Sequence, residues 1–169
     1  YPGRYHAASN EQETFKSHRF TKLRAWRLTQ YSKLVFLDSD TMVTRNIDPL
    51  FACEPGSAAA DQGAPGNFNS GVFVLKPDMA VYAELLRLAP LLPSYNKGDQ
   101  GFLNRAFSDW ALHRHRQLPE SYNYFLKWRG VAAWLSHTWN EGVHVVHFTD
   151  VVKPHNWFLY PTMQASHAP

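Results

Sequence analysis

Residues 34–40, with the sequence LVFLDSD, decide the fold of this chain. Four apolar residues end abruptly on two carboxylates, Asp38 and Asp40, which are one residue apart. Because the run is short, β-branched and aromatic, we predict a buried central strand over 33–37. Open α/β sheets bind their ligands beyond the carboxyl ends of the strands, and this is where the two carboxylates would lie.

Two neighbouring carboxylates repel each other unless a cation neutralises them. Oxygen ligands suit Mg²⁺ or Mn²⁺, usually with the phosphates of a nucleotide completing the shell. The alternative is an ordinary turn after the strand, in which the side chains of Asp38 and Asp40 cap the element that follows the turn.

The composition indicates one globular domain and excludes several classes of protein. At 169 residues the chain can bury one sizeable core, and 44% hydrophobic with 18% charged residues is typical of a folded soluble protein. The net charge of +3 comes from scattered basic residues, so nucleic acid is not suggested as a partner. Cys53 is the only cysteine, which rules out an internal disulfide and a cysteine-based zinc site. No apolar run approaches the roughly 20 residues of a membrane helix.

The remaining pattern predicts alternating helices and strands in a single domain over 1–169. We expect a loop over 1–17, a helix over 18–30, a helix from Pro77 to Leu88 and a helix over 99–107. Strands are predicted over 57–61, 72–76 and 143–148, and a closing tail over 158–169. The chain begins at Tyr1 without Met, and its first strong element, after the loop, is already a helix leading into a strand. We therefore expect it to be N-terminally incomplete, and no localisation is assigned.

Polar residues stand at the predicted strand ends and helix starts, and polar groups converging from separate strand ends are what a binding crevice needs. They are Asp38, Asp40, Asn69, Ser70, Asp99, Gln100 and His147. Several also have a simpler interpretation: a hydrogen-bonded core histidine for His147, a helix N-cap for Asp99, and a turn for Asn69-Ser70. Lys22 and Lys153 would most simply be solvated surface lysines.

Four blocks of sequence, in order, are similar to a known family. They are FTKLRAWRLTQYSKLVFLDSDT at 20–41, FNSGVFVLKP at 68–77, GDQGFLN at 98–104 and VVHFTDVVKPHNW at 145–157. Over about 18–157 the chain resembles glycogenin and its glycosyltransferase family 8 relatives. The resemblance implies an α/β, Rossmann-like GT-A fold with a mixed central sheet and flanking helices. It also implies a UDP-sugar donor, Mn²⁺ (with Mg²⁺ as the alternative) and transfer that retains the anomeric configuration.

The resemblance also implies roles for individual residues. Asp38, Asp40 and His147 would hold the metal against the donor diphosphate. Lys22, Asp99 and Gln100 are the expected catalytic residues, with Lys22 reaching the donor and the other two flanking the anomeric carbon. The expected donor contacts, besides Lys22, are Ser39 near the ribose or sugar, Lys153 on the diphosphate, and Asp61, Asn69, Ser70 and Gly71 around the sugar.

The chain departs from the family pattern in four places. The family's first strand and nucleotide-binding turn have no counterpart after Tyr1, and Asp150 stands where the family has glycine. Asn96 replaces an acidic residue. No tyrosine lies between Tyr124 and Tyr160, where glycogenin carries its self-glucosylated one, so self-glucosylation there is not expected.

Glucose is the expected sugar. The alternatives are a family 8 enzyme that uses UDP-galactose or UDP-glucuronate, and a non-catalytic remnant that binds a nucleotide or carbohydrate. The expected partners are the UDP-sugar and an acceptor, which would be a glycan, a protein or a small molecule. A homodimer is a further expectation.

Overall fold

A computed structural model describes residues 18–64, 66–126 and 142–149. The chain opens with a 3₁₀ helix, His18–Arg27, followed by strands β1 (Leu34–Leu37) and β2 (Thr41–Val43). Further along lie β3 (Ala58–Ala60), β4 (Phe68–Leu75), helices α1 (Met79–Leu88) and α2 (Asp99–Ala106), and the short strands β5 (Gln117–Leu118), β6 (Tyr124–Phe125) and β7 (Val145–His147). Short 3₁₀ turns lie at Asp48–Ala52, Trp110–Leu112, Arg114–Arg116 and Glu120–Tyr122. The predicted loop 1–17, the tail 158–169, Asp150 and Lys153 lie outside the described residues.

The strands form two sheets that meet at the turn between β1 and β2. The first has four strands in the order β1-β4-β3-β5, and the second has three in the order β2-β7-β6. Strand β4 is antiparallel to both β1 and β3, whereas β3 and β5 run parallel. In the second sheet β7 is antiparallel to β2 and parallel to β6. These are the mixed sheets with flanking helices that the resemblance implies.

Strand β4 is the central element of the larger sheet. All eight of its residues are buried, and its side chains alternate between two apolar clusters because successive residues of a strand face opposite sides. Phe73 and Leu75 pack with Leu23, Trp26, Leu85 and Phe102 beneath the helices. Val72 and Val74 pack on the other face with Leu50, Ala59, Leu118 and Val145. The core therefore lies on both sides of β4.

The structure corrects the prediction for the first strand. β1 was expected to be a buried central strand, but it lies at the edge of its sheet and all four residues are only half-buried. Among the described residues, β4 is the one strand that pairs with it. An apolar run that matches a buried strand also matches a strand covered on one side, because the sequence of one strand does not specify its neighbours.

A second correction concerns residues 69–71, which were expected to lead into a strand that begins at 72. Strand β4 instead begins at Phe68, so Asn69, Ser70 and Gly71 lie inside it. Polar residues are tolerated in this buried strand because their side chains find partners: Asn69 Oδ1 accepts from the Gly71 amide, and Ser70 Oγ accepts from Lys22.

Asp78 begins helix α1 as an N-cap. Its Oδ1 accepts hydrogen bonds from the amides of Ala80 at 2.7 Å and Val81 at 3.2 Å.

The first helix, His18–Arg27, is three residues shorter than the helix predicted over 18–30. Within the described segments, no helix has the length and apolar character needed to cross a membrane.

Helix α2 begins as predicted at Asp99, but Asp99 is not its N-cap. The cap position is Gly98, and the side chain of Asn96 supplies the acceptor: its Oδ1 receives the amides of Gly98 and Gly101, each at 3.0 Å. The N-cap interpretation of Asp99 is therefore wrong. Its carboxylate is not used to cap its own helix and is available to other groups.

Candidate active site

Strand pairing brings the carboxylates of the Asp38–Asp40 turn next to an imidazole. Because Leu37 pairs with Val72, Asp38 follows opposite Gly71, and its amide donates to the Gly71 carbonyl at 2.8 Å. In the second sheet Thr41 pairs with His147, and the amide of Phe148 donates to the Asp40 carbonyl at 2.9 Å. One turn thus carries both carboxylates across the junction of the two sheets, with Ser39 exposed between them.

Asp38, Asp40 and His147 form a cluster suited to a divalent metal ion. Each offers one ligand atom, and these atoms lie within 4.8 Å of one another. Nε2 of His147 is 3.2 Å from Oδ1 of Asp40, and the histidine is buried. Two carboxylate oxygens and one imidazole nitrogen are a donor set that Mn²⁺ accepts readily. The residues present therefore fit the metal that the resemblance implies.

Lys22 is buried at the centre of the site, so its interpretation as a solvated surface lysine is wrong. Only 8% of the residue is exposed. Its Nζ lies 3.0 Å from Asp38 Oδ1 and 2.6 Å from Asp99 Oδ2. It also donates to Ser70 Oγ at 2.8 Å and to the Ser70 carbonyl at 3.0 Å, and it lies over the Phe36 ring. Lys22 thus ties β1, β4 and α2 together through one ammonium group.

Two carboxylates of the site share the ammonium group of Lys22. The carboxylates of Asp38 and Asp99 both contact its Nζ, while Asp40 lies beside Nε2 of His147. Burial raises the pKa of the Asp38 carboxyl above its ordinary value, and the neighbouring Lys22 ammonium opposes that rise. A divalent cation held by Asp38, Asp40 and His147 would place positive charge between the two neighbouring carboxylates.

Gln100 is held in one orientation beside this cluster. Its Oε1 accepts from the Ser70 amide at 3.2 Å, and its Nε2 donates to Asp61 Oδ2 at 2.6 Å and to the Tyr95 hydroxyl at 3.1 Å. The other oxygen of Asp61 accepts from the Gly63 amide at 2.7 Å. Burial and the charge of Asp61 raise the pKa of Tyr95, so its phenol stays protonated at neutral pH.

The structure brings together most of the residues predicted from sequence. Asp38, Asp40 and His147 form one group, and Lys22 and Ser70 connect it to Asp99, Gln100 and Asp61. Asn69 and Gly71 lie behind His147. Sequence reasoning missed Tyr95 and gave no role to Asn123. Asn123 is 1% exposed, and a buried amide needs partners, but its sequence neighbours give no sign that the residue is buried.

Gly71 is required because of space and not because of its backbone conformation. A Cβ built at this position would lie 2.2 Å from Cε1 and 2.6 Å from Nδ1 of His147. We expect Gly71→Ala to displace the imidazole, to lower the free energy of unfolding by about 1–3 kcal/mol and to weaken Mn²⁺ binding. Thermal unfolding and titration with Mn²⁺ measure both effects.

A double-mutant cycle isolates the contact between Gly71 and His147. In a His147→Ala background the ring is gone, so Gly71→Ala should cost much less stability, with only the contact to Asn69 Oδ1 at 2.9 Å remaining. If Gly71→Ala lowered the free energy of unfolding equally with and without the His147 ring, the ring would not be the reason that position 71 requires glycine.

Comparison with known proteins places the chain among glycosyltransferases. A sequence model of the family "Glycosyl transferase family 8" matches residues 4–61. Glycogenin-1 of Homo sapiens is 47% identical over 144 residues, which cover 83% of this chain and 41% of that protein. The Arabidopsis thaliana protein named putative UDP-glucuronate:xylan alpha-glucuronosyltransferase 4 is 30% identical over 174 residues, covering 91% and 31% respectively. The chain therefore spans less than half the length of these curated relatives.

Solved structures support the same fold. The crystal structure of the glycosyltransferase GlyE of Streptococcus pneumoniae TIGR4 matches with a TM-score of 0.60 at 24% identity, over 80% of this chain and 38% of that one. Its apo form matches with a TM-score of 0.58 over 82% of this chain and 39% of that chain. The predicted α/β GT-A fold is thereby confirmed.

Proposed function

Because the chain belongs to glycosyltransferase family 8, we propose that it is a catalytic domain that transfers a hexose from a UDP-sugar to an acceptor with retention of configuration. Glucose is the expected sugar. The observation that carries the proposal is one continuous site in which the Asp38–Asp40–His147 cluster adjoins a buried lysine, Lys22, and an oriented amide, Gln100. Such a site pairs a place for a metal-bound diphosphate with polar groups for a sugar.

Asp38, Asp40 and His147 are the proposed ligands of a divalent ion. A bound ion would supply positive charge that offsets the negative charge on the diphosphate of the donor. Mn²⁺ is favoured over Mg²⁺ because one of the three ligands is an imidazole nitrogen. Lys153 is proposed as a second cation on the diphosphate, following its match to the family block.

Lys22 has two roles in the proposal. It contacts the Asp99 carboxylate at 2.6 Å and so fixes the position of that carboxylate in the site. A carboxylate in that place orients the sugar or stabilises an oxocarbenium-like centre by its charge. Gln100 is a neutral amide and a poor nucleophile, and both ends of its amide are bonded to protein groups, so its role is to position.

Donor contacts around the sugar favour a neutral hexose. In the proposal Asp61 and Asp99 lie at the sugar end of the site, where the carboxylate of a glucuronosyl group would add a third negative charge. The second candidate, a UDP-glucuronate donor, rests on the relatives whose names include that donor. UDP-galactose is an alternative that keeps the sugar neutral.

The experiment that tests the proposal is release of UDP from a panel of UDP-sugars, with Mn²⁺ present or removed by a chelator. We expect release from UDP-glucose with Mn²⁺ and its loss on chelation. Release from UDP-glucuronate alone would support the second candidate. UDP binding without release from any donor would identify a non-catalytic binder, and neither binding nor release would contradict the proposed function.

A further inference from the structure

A line of buried hydrogen bonds runs behind His147. The amide of Gly71 donates to Asn69 Oδ1 at 2.9 Å, and Asn123 Nδ2 donates to the same oxygen at 2.9 Å. The carbonyl oxygen of Asn123 then lies 2.9 Å from Nδ1 of His147. The three side-chain residues are at most 7% exposed, so water does not substitute for these partners. We call this line the Asn relay: Gly71 N, Asn69, Asn123 and His147.

The direction of every bond in the Asn relay follows from its first member. A backbone N–H only donates, so the Asn69 atom that faces Gly71 is the carbonyl oxygen. That same oxygen also receives Asn123, which must therefore present its NH₂ group. The only Asn123 atom left for His147 is the amide oxygen, which only accepts. Nδ1 of His147 must accordingly carry a hydrogen.

This proton on Nδ1 determines the chemistry of the opposite ring nitrogen. In a neutral imidazole with Nδ1–H, Nε2 bears a lone pair. Nε2 lies 3.2 Å from Oδ1 of Asp40, so two acceptors face each other, and only a cation or an added proton between them makes the contact favourable. The ring is also confined, since Gly71 packs against its Nδ1–Cε1 edge and Phe125 meets it edge-on at 5.6 Å between centroids.

We propose that Asn123 is a positioning residue that sets the Nδ1–H tautomer of His147 and so directs the Nε2 lone pair to the divalent cation. The inference rests on the metal site of the proposed function. Hydrogen bonds from a metal-bound histidine to an outer partner fix its tautomer and orientation, and their loss typically lowers metal affinity by 10–100-fold. The orientation of the Asn123 amide is itself fixed by Asn69, whose side-chain oxygen accepts from the backbone amide of Gly71 in β4.

Nitrogen-15 NMR of the histidine rings in the metal-free protein, above pH 8, tests the tautomer directly. The His147 signals are assigned by their absence from His147→Ala. We expect Nδ1 of His147 to be the protonated nitrogen, while the half-exposed His115 serves as an internal comparison. Protonation of Nε2 instead would overturn the proposal with no variant required. This readout does not depend on catalysis, so it separates failure of the inference from failure of the proposed function.

Two variants at Asn123 separate the tautomer from mere filling of a buried position. Asn123→Leu removes the acceptor, and we expect a mixed or Nε2–H tautomer and Mn²⁺ affinity lowered by about 10–100-fold, measured by electron paramagnetic resonance. Asn123→Asp keeps an oxygen that accepts from Nδ1–H, but it replaces the NH₂ group that donates to Asn69 Oδ1 by a second oxygen, and the two oxygens repel each other. It should lose stability, as the leucine variant does, yet retain the tautomer and most of the affinity. Unchanged tautomer and affinity in Asn123→Leu would overturn the proposal.

Asn104→Leu is the matched control. Asn104 is a buried amide of α2 whose side chain bonds the backbone of Phe68 at both ends and the Gln100 carbonyl, outside the Asn relay. We expect it to lower the unfolding temperature without changing the His147 tautomer. A change of tautomer in this control would attribute the effect to general loosening of the core and contradict a specific role for Asn123.

Discussion

Replacing Asp40 by Asn is expected to lower Mn²⁺-stimulated release of UDP by more than about 100-fold, beyond the range typical of outer-shell partners. The change removes a negative charge from the cluster and replaces one carboxylate oxygen by an NH₂ group that cannot bind a cation. The side chain keeps its shape, so the melting temperature should change little. Initial rates at saturating UDP-sugar, with the Mn²⁺ concentration varied, measure the effect.

Asp48→Asn is the control for this change. Asp48 is exposed at the start of the 3₁₀ turn Asp48–Ala52, outside the Asp38–Asp40–His147 cluster. The same charge is removed there, and we expect no change in the Mn²⁺ dependence. Equal rates for Asp40→Asn and the unaltered protein would remove Asp40 from the metal site.

Lys22→Met is expected to produce the second large effect, on stability as well as on turnover. Its ammonium lies between the carboxylates of Asp38 and Asp99, and without it these two like charges repel each other. Breaking a fully buried ion pair typically costs 3–5 kcal/mol. Because the two carboxylates are 31% and 23% exposed, we expect a smaller loss, about 2–3 kcal/mol of unfolding free energy. Chemical denaturation measures the loss.

The double variant Lys22→Met with Asp99→Asn separates charge from packing. If repulsion between the two carboxylates causes the loss, removing one of them should recover part of the stability but not the turnover. Lys33→Met is the matched control, because Lys33 donates to the carbonyls of Phe51 and Cys53 and, within the part of the chain that the structure describes, contacts no carboxylate. A stability loss in Lys33→Met as large as that in Lys22→Met would contradict a special role for Lys22.

The sequence predicts the elements of this fold better than it predicts their neighbours. The apolar run ending at Asp38, the run at 72–75 and the amphipathic pattern after Asp78 identify strands and a helix, because a strand or helix face buries residues with a fixed period. The edge position of β1 and the inclusion of residues 69–71 in β4 depend on pairing between distant segments. Nothing in the local pattern specifies such pairing.

Single residues of the site are also hard to predict when their partners lie far away in the sequence. Asp38 and Asp40 are recognisable because two carboxylates directly follow a strand. Lys22 is not recognisable from its helix, since the groups that make it a buried cation include Ser70, which lies 48 residues further along the chain. Asn123 acquires its role from Asn69, 54 residues earlier, and from His147, 24 residues later. Without the family resemblance, the sequence predicts a crevice lined by polar groups from strand ends and helix starts, but it does not predict the role of each group.

The central claim is that Asp38, Asp40 and His147 bind one divalent ion. Anomalous diffraction from crystals grown with Mn²⁺ and UDP, recorded at a wavelength where manganese scatters strongly, tests it most directly. The account predicts a peak at about 2.2 Å from one oxygen of each carboxylate and from Nε2 of His147, a distance within the range of divalent-metal ligands. A cluster without a peak, while UDP is bound beside it, would contradict the claim.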